Sequence, residues 1–183
     1  MVSKSENPFQ LLTDIAQKSI QFSPGLPEQD EAVELWNGIG FTIANSYFVA
    51  AMGSVSEIIH LPKFTSIPGV KSWMLGVANV RGRLLPIMDL GLFFDLNHRS
   101  SNSRDKRVLI FDHGEILSGF VVDSVHGMQY FAADSFKEKY DTKLEKTIRP
   151  FVKGSFEKND KKWNVFDTFS VTDNQKFLEV AVR

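Results

Sequence analysis

The chain has 183 residues, is 43 % hydrophobic and 12 % aromatic with sixteen Phe, and carries a formal net charge of -1. That length suits one compact domain or two very small ones sharing a core, and the apolar content excludes a disordered or linker-like chain. With no Cys there is no disulfide, thiolate metal site or Cys nucleophile, and a near-neutral charge supplies no global field for nucleic acid.

The opening "MVSKSENPFQ" lacks a basic stretch followed by an apolar one, and no apolar run approaches the roughly 18 residues needed to span a bilayer, so a soluble cytoplasmic protein is expected. Residues 7–20, "NPFQLLTDIAQKSI", place Asn7 as N-cap, Pro8 at the first helical position, and Leu12, Ile15, Ala16 and Ile20 on one face. This predicts a short amphipathic helix. The following "QFSPGLPEQDEAVELWNGIG", with two Pro, two Gly before position 40 and several acids, predicts an irregular connector.

After Gly40 the texture changes to short strands. "FTIANSYFVAAM" predicts a hairpin about Ala44-Asn45-Ser46, since Asn tolerates positive φ. Ser54 and Glu57 have capping-box spacing, which predicts about one helical turn before an extended "IIHL". Pro68-Gly69 marks a turn. "GVANV" and "RLLPIMD" flank Arg81-Gly82 as a second hairpin, with Pro86 requiring an edge or bulged strand because it has no N–H to donate. "LGLFFDL" (90–96) predicts a short helix.

The second half repeats the style. "RVLIFDHGEILSGFVVDSVHGMQYF" predicts strand, turn at His113-Gly114, strand, and a turn near Gly127. Residues 132–146 are polar and helix-compatible. "RPFVKGSFEKNDKKWNVFD" predicts a hairpin with Asn159 and Asp160 at its tip, and a short last helix capped by Asp173 follows.

Two alignments within the chain suggest an internal repeat. "GVANVRGRLLPIMD" (76–89) lies over "GSFEKNDKKWNVFD" (154–167) at an offset of 78, with Gly opening and Asp closing each block. "GSVSEI" (53–58) and "DSVHGM" (123–128) share Ser-Val at an offset of 70, and "FTIANSYFVA" matches "VLIFDHGEIL" in pattern. Two degenerate copies of one β unit would account for this. Gly82 and Asn159 then occupy matching turns that need positive φ. Arg81 is not demanded by a turn, and a guanidinium beside Val80, Leu84 and Leu85 offers five donors and a flat face to a partner.

Chemistry-bearing motifs are scarce. There is no G-x-x-x-x-G-K-[ST], G-x-G-x-x-G, H-E-x-x-H or G-x-S-x-G, and His60, His98, His113 and His126 lack metal-ligand spacing. Asp112-His113 and Asp123 with His126 form acid/base pairs only on paper, because no nucleophile accompanies them. Asp89 and Asp167 are expected to cap the helices that follow, and Phe93, Phe94, Phe111, Phe120 and Phe166 to be core. The basic run 98–107 has no aromatic for base stacking and is expected to be a solvated loop.

"SIPGVKSWMLGVANVRGRLLPIMDLGLFF" (66–94), followed by "GFVVDSVHGM" (119–128), resembles the CheW-like coupling proteins of bacterial chemosensory arrays. Gly76 to Leu90 match the block G-V-x-N-[LV]-R-G-x-[LIV]-[LIV]-P-[LIV]-x-D-L without a gap. Trp36 to Phe41 match W-x-G-[IV]-x-F, a style that is similar to the branch serving type IV pilus twitching motility. The resemblance covers about residues 35–170 and implies a mainly β fold of two intertwined five-stranded SH3-like barrels sharing a core, preceded by a helical extension over 1–34.

It also implies a non-catalytic adaptor without cofactors. Such an adaptor holds the cytoplasmic tip of a methyl-accepting receptor in the groove between the barrels. Its second partner is the regulatory domain of a CheA-like histidine kinase. It would sit in the cytoplasm at polar, membrane-anchored receptor arrays, without inserting into the membrane or binding nucleic acid. Carried over by motif, Val55, Glu57, Val80 and Arg81 become receptor-groove residues, Gly82 a structural turn glycine, Val122 core and Asp123 a turn former. The alternatives are the same adaptor in a flagellar array and, in another class, a small β-barrel binding nucleic acid through residues 98–107 and 137–162.

Overall fold

Among the described residues, three tight turns each hold two successive residues at positive φ. They are Ala44 (48°) and Asn45 (65°), Arg81 (52°) and Gly82 (79°), and Asn159 (51°) and Asp160 (57°). Two positive φ values twist a two-residue loop in the sense that flanking strands require, so each turn closes a hairpin. A computed structural model describes residues 8–22, 34–96, 105–113 and 116–182. By contacts the chain divides into two units, 1–33 and 34–183.

In the first unit, helix α1 spans Pro8–Phe22 and leaves Phe9, Leu11, Leu12 and Ile15 exposed. Its expected cap, Asn7, lies outside the described residues, as do most of the connector and the basic run's residues 98–104. Among the described residues no helix is long and apolar enough to cross a membrane.

The described residues of the second unit form ten strands: β1 (Leu35–Ile43), β2 (Ser46–Ala51), β3 (Glu57–His60), β4 (Met74–Val80), β5 (Arg83–Asp89), β6 (Arg107–His113), β7 (Ile116–Val122), β8 (Ser124–Ala132), β9 (Val152–Lys158) and β10 (Lys161–Phe166). They form two five-stranded sheets, ordered β8-β1-β2-β10-β9 and β3-β6-β7-β5-β4. Every neighbour pair is antiparallel except β2 with β10 and β5 with β7.

The two orders are the same order written in the two halves of the chain. Val165 pairs with Val49, and Ile87, seventy-eight residues before Val165, pairs with Gly119, seventy residues after Val49. The suggested offsets of 78 and 70 therefore both describe real structural equivalence. Each sheet combines strands of both halves: β1 and β2 join β8 to β10, while β6 and β7 join β3 to β5.

The repeated glycines have a steric reason. Backbone bonds between Thr65 and Val77 (2.9 Å each way) tie the segment after β3 to the opposite edge strand β4, and bonds between Lys137 and Ser155 (2.9 and 2.8 Å) do the same between the β8 side and β9. These bridges close the sheets into barrels. A Cβ on Gly76 would stand 2.1 Å from the Thr65 carbonyl oxygen, and one on Gly154 would stand 2.4 Å from that of Lys137. Only a residue without a side chain lets the closing backbone pass this near.

Between the barrels lies one buried cluster that includes Phe41 and Phe48 of the first sheet and Phe111 and Phe120 of the second, together with Phe93, Phe94 and Phe166. Asp89 ends β5 and Asp167 directly follows β10, each immediately before an equivalent helix, α2 (Leu90–Phe93) and α3 (Thr168–Thr172). The Asp89 carboxylate accepts from the Leu92 N–H at 3.1 Å, and Asp167 accepts from the Ser170 hydroxyl at 2.7 Å.

Several expectations need correction. Ser54 bonds the Ala51 carbonyl and Glu57 already lies in β3, so the capping-box spacing produces a turn and no helix. Pro86 is in an internal strand; the ladder to β7 begins one residue later at Ile87, so the missing donor costs no rung there. Gly127, at φ 70°, sits within β8 beside the register shift at Gly40/Phe41, and the chain turns instead at Asp123. Residues 136–148 form no helix, being drawn across β9 by the Lys137 bridge. The last helix, α4 (Gln175–Leu178), is capped by Asn174, whose side chain accepts from the Lys176 N–H, and not by Asp173.

Gly154→Ala is expected to cost about 1–3 kcal/mol because backbone blocks the added methyl. Gly82→Ala, where nothing lies within 4 Å, should cost only the left-handed strain of about 1 kcal/mol. Urea unfolding midpoints of the two variants would test this order.

Candidate functional site

The tip of the β4–β5 hairpin is fixed locally, because the Asn79 carboxamide oxygen accepts from the Gly82 N–H at 2.9 Å. This holds Arg81 in the left-handed region, where a long L side chain is uncommon and pays about 1 kcal/mol or more. Asn or Gly would be the unstrained choice. The side chain is 78 % exposed, so packing does not compensate, and its contact is a 2.8 Å ion pair with Glu57.

β3 and β4 are the two edge strands of their sheet. The Glu57–Arg81 pair therefore spans the same seam that the Thr65–Val77 bridge closes further along. An exposed ion pair of this kind contributes about 0–1 kcal/mol, so it leaves most of the turn's strain standing. The strain at Arg81 is thus not offset by packing of its side chain.

A second pair lies beside it. Arg83 donates to Asp112 at 2.6 Å, joining the start of β5 to the end of β6. The carboxylate raises the Arg83 pKa above its usual value, chiefly through that hydrogen bond. Between the two pairs opens a groove floored by Val80, Leu85, Ile110 and Leu117, with Ser56 on its rim. Leu85 and Ile110 belong to a small buried cluster inside this barrel.

Of the sequence-predicted residues, Glu57, Val80 and Arg81 come together here, with Gly82 forming the turn. Val55 does not join them; it packs against the core between the barrels. All the lining residues belong to β3–β7 or their turns, so the groove is the hairpin-tip end of one barrel and not a cleft between two. Asn159 and Asp160 make the equivalent turn on the other barrel. Arg83 and Asp112 were missed. Their pairing depends on strand register, which letters twenty-nine apart do not reveal.

The equivalent end of the other barrel is built differently. Tyr47, Trp163 and His126 cluster with ring centroids 5.1 to 5.7 Å apart, and the Lys161 ammonium lies 4.6 Å over the Tyr47 ring. Burial and the Lys161 charge push the His126 pKa below 6.5.

The paper acid/base pairs are otherwise engaged. Asp112 holds Arg83, and Asp123 accepts the Ala44 N–H at 2.8 Å. No group of three or more His, Cys, Asp or Glu able to hold a metal occurs among the described residues. In the segment named for nucleic-acid binding, Lys137 and Lys162 pair with Glu157, Lys153 pairs with Asp167, and Lys158 donates to the Tyr130 carbonyl. Those lysines form internal pairs instead of a bare cationic stripe.

Two predictions concern these groups. Arg81→Asn, which suits positive φ, is expected to raise stability by about 0.5–1 kcal/mol in denaturant melts. For His126, the lowered folded pKa means that the unfolded chain binds the proton more readily. Stability should therefore fall as pH drops through 6.5 and below, and His126→Gln should flatten that fall when urea midpoints at about pH 8 and about pH 5.5 are compared.

Residues 37–176 match the family model described as CheW-like domain. Over 181 residues, covering 99 % of this chain and all of the relative, the sequence is 46 % identical to Protein PilI of Pseudomonas aeruginosa. It is 30 % identical over 112 residues to Chemotaxis protein CheW of Helicobacter pylori, covering 61 % of this chain and 67 % of that one. The scaffolding protein TtCheW of Thermoanaerobacter tengcongensis superposes with a TM-score of 0.67 at 21 % identity, covering 78 % of this chain and 96 % of that chain.

Proposed function

The chain belongs to the family of CheW-like domains, and from that premise we propose that it is a non-catalytic adaptor coupling a methyl-accepting receptor to a CheA-like histidine kinase. The array it serves controls type IV pilus twitching motility. Near-complete coverage at 46 % identity to PilI supports the pilus branch over the flagellar one.

The observation that carries the site assignment is Arg81, held at φ 52° and 78 % exposed over an apolar floor. Such a group does work that needs no chemistry. Its guanidinium fixes the register of an incoming helical tip by charge, while Val80 and the neighbouring leucines bury an apolar contact. The adaptor transmits signal by holding receptor and kinase in one geometry, at the cytoplasmic face of a receptor array.

Arg81→Ala is expected to leave the fold intact and weaken binding to a purified receptor-tip fragment by about 1–3 kcal/mol. Titration of immobilised tip, with circular dichroism as the folding control, measures this. Wild-type affinity in the folded variant would remove Arg81 from the interface.

A further inference from the structure

The boundary between the two repeats falls between α2 and β6, after Leu96 and before Asp105. Both ends of that connector are held at α2. The Leu96 N–H donates to the Gly91 carbonyl at 2.9 Å, and the Lys106 ammonium meets the Asp89 carboxylate, the cap of α2, at 2.9 Å. The connector therefore starts and ends at one place, and everything else that joins the first half of the chain to the second is noncovalent.

Those noncovalent links use the same surface on both halves. The repeat equates β1 with β6 and β8 with β3, so the pairing of β1 with β8 in one sheet is the pairing of β6 with β3 in the other: Ile39 opposite Met128 corresponds to Leu109 opposite Ile58. The parallel pairs β2–β10 and β7–β5 correspond in the same way. Phe41 and its counterpart Phe111 both lie in the shared cluster. A patch that meets its own counterpart, with each contact occurring twice, is the geometry of a twofold dimer interface.

Polar bonds fix the fit at its rim. The Ala44 N–H donates to the Asp123 carboxylate at 2.8 Å, the Lys176 ammonium pairs with Asp95 at 2.7 Å, and the C-terminal segment joins residues 69–71 through Lys71 N–H to the Val180 carbonyl and Val182 N–H to the Gly69 carbonyl, each 2.9 Å. Each of these bonds crosses from one half to the other.

We propose that this surface also works between molecules: the first half of one chain, up to Leu96, takes the second half of a second copy, from Asp105 onward, so that two chains exchange halves into a dimer of two complete bodies. Every contact described above is kept in the exchanged pair, and only the course of the connector differs. Eight residues reach about 28 Å when extended, which spans the gap between two bodies abutting at α2. Concentration sets the choice, because a tether this short holds its own halves at an effective concentration on the order of millimolar. The exchanged pair presents each outer surface twice and is bivalent toward whatever binds there.

The test keeps the full chain and inserts a site-specific protease's recognition sequence, flanked by Gly-Ser, between Ser100 and Ser101. Refolded from urea at about 1 µM the protein should run as a monomer, and at about 1 mM a comparable amount should run as a dimer that survives dilution. Cutting that dimer should release bodies of monomer size, because the two connectors are the only covalent links between them. The cut monomer should stay assembled, with a urea midpoint that rises with protein concentration where that of the uncut chain does not. Monomer alone at every concentration, or a dimer that keeps its size after both connectors are cut, would overturn the exchange. So would a cut monomer whose halves separate, or one whose midpoint ignores concentration, since the halves would then not meet as free subunits do.

Discussion

The two parallel pairings, β2 with β10 and β5 with β7, are the constraint from which the rest of this architecture follows. Each joins a hairpin of one half of the chain to a hairpin of the other. A hairpin alone is marginal in water, and three or more strands with a buried face are needed for independent stability. Neither half supplies a complete barrel, so each barrel exists only through strands lent by the other half. The apolar cluster between them, rich in Phe, is then a core that both share, beside a smaller cluster inside each.

On that frame, closure is demanding and the barrel ends are permissive. The seams pass so near Gly76 and Gly154 that no side chain fits. The hairpin tips face open space, where residues are chosen for what they meet. The two ends show the latitude: one is filled by an indole and a phenol ring, while the other keeps two arginines above an apolar floor. Arg81 bears a backbone cost that Asn159, in the matching turn, largely avoids, since Asn tolerates the left-handed region.

Much of this was legible in the letters because the governing rules are local. Asn45, Gly82 and Asn159 announce their turns through φ preference, and the Gly…Asp blocks announce two equivalent hairpins, since steric closure and helix capping recur at the same positions. Where the reading failed, tertiary context overrode a local rule. The Ser54 hydroxyl donates to the Ala51 carbonyl instead of accepting from a helical N–H. Pro86 escaped the edge because the β7 ladder starts beyond it. Gly127 marks a bulge instead of a chain reversal. The groove was half visible: Glu57 and Arg81 came by motif, but Arg83 and Asp112 meet only through a register that no local pattern encodes.

The Asn164 carboxamide, buried inside the molecule, donates to the Tyr47 carbonyl from 117 positions further along the chain. The pairings of β1 with β8, β2 with β10, β3 with β6 and β5 with β7 likewise join segments far apart in the chain, which raises its contact order, and loop-closure entropy must be met before the parallel strands reward it. During synthesis the first hairpin emerges long before its partner and waits with an unpaired edge. The two sheets differ in this respect: all five strands of the second lie within residues 57–122, whereas the first is complete only once β9 and β10 have been made.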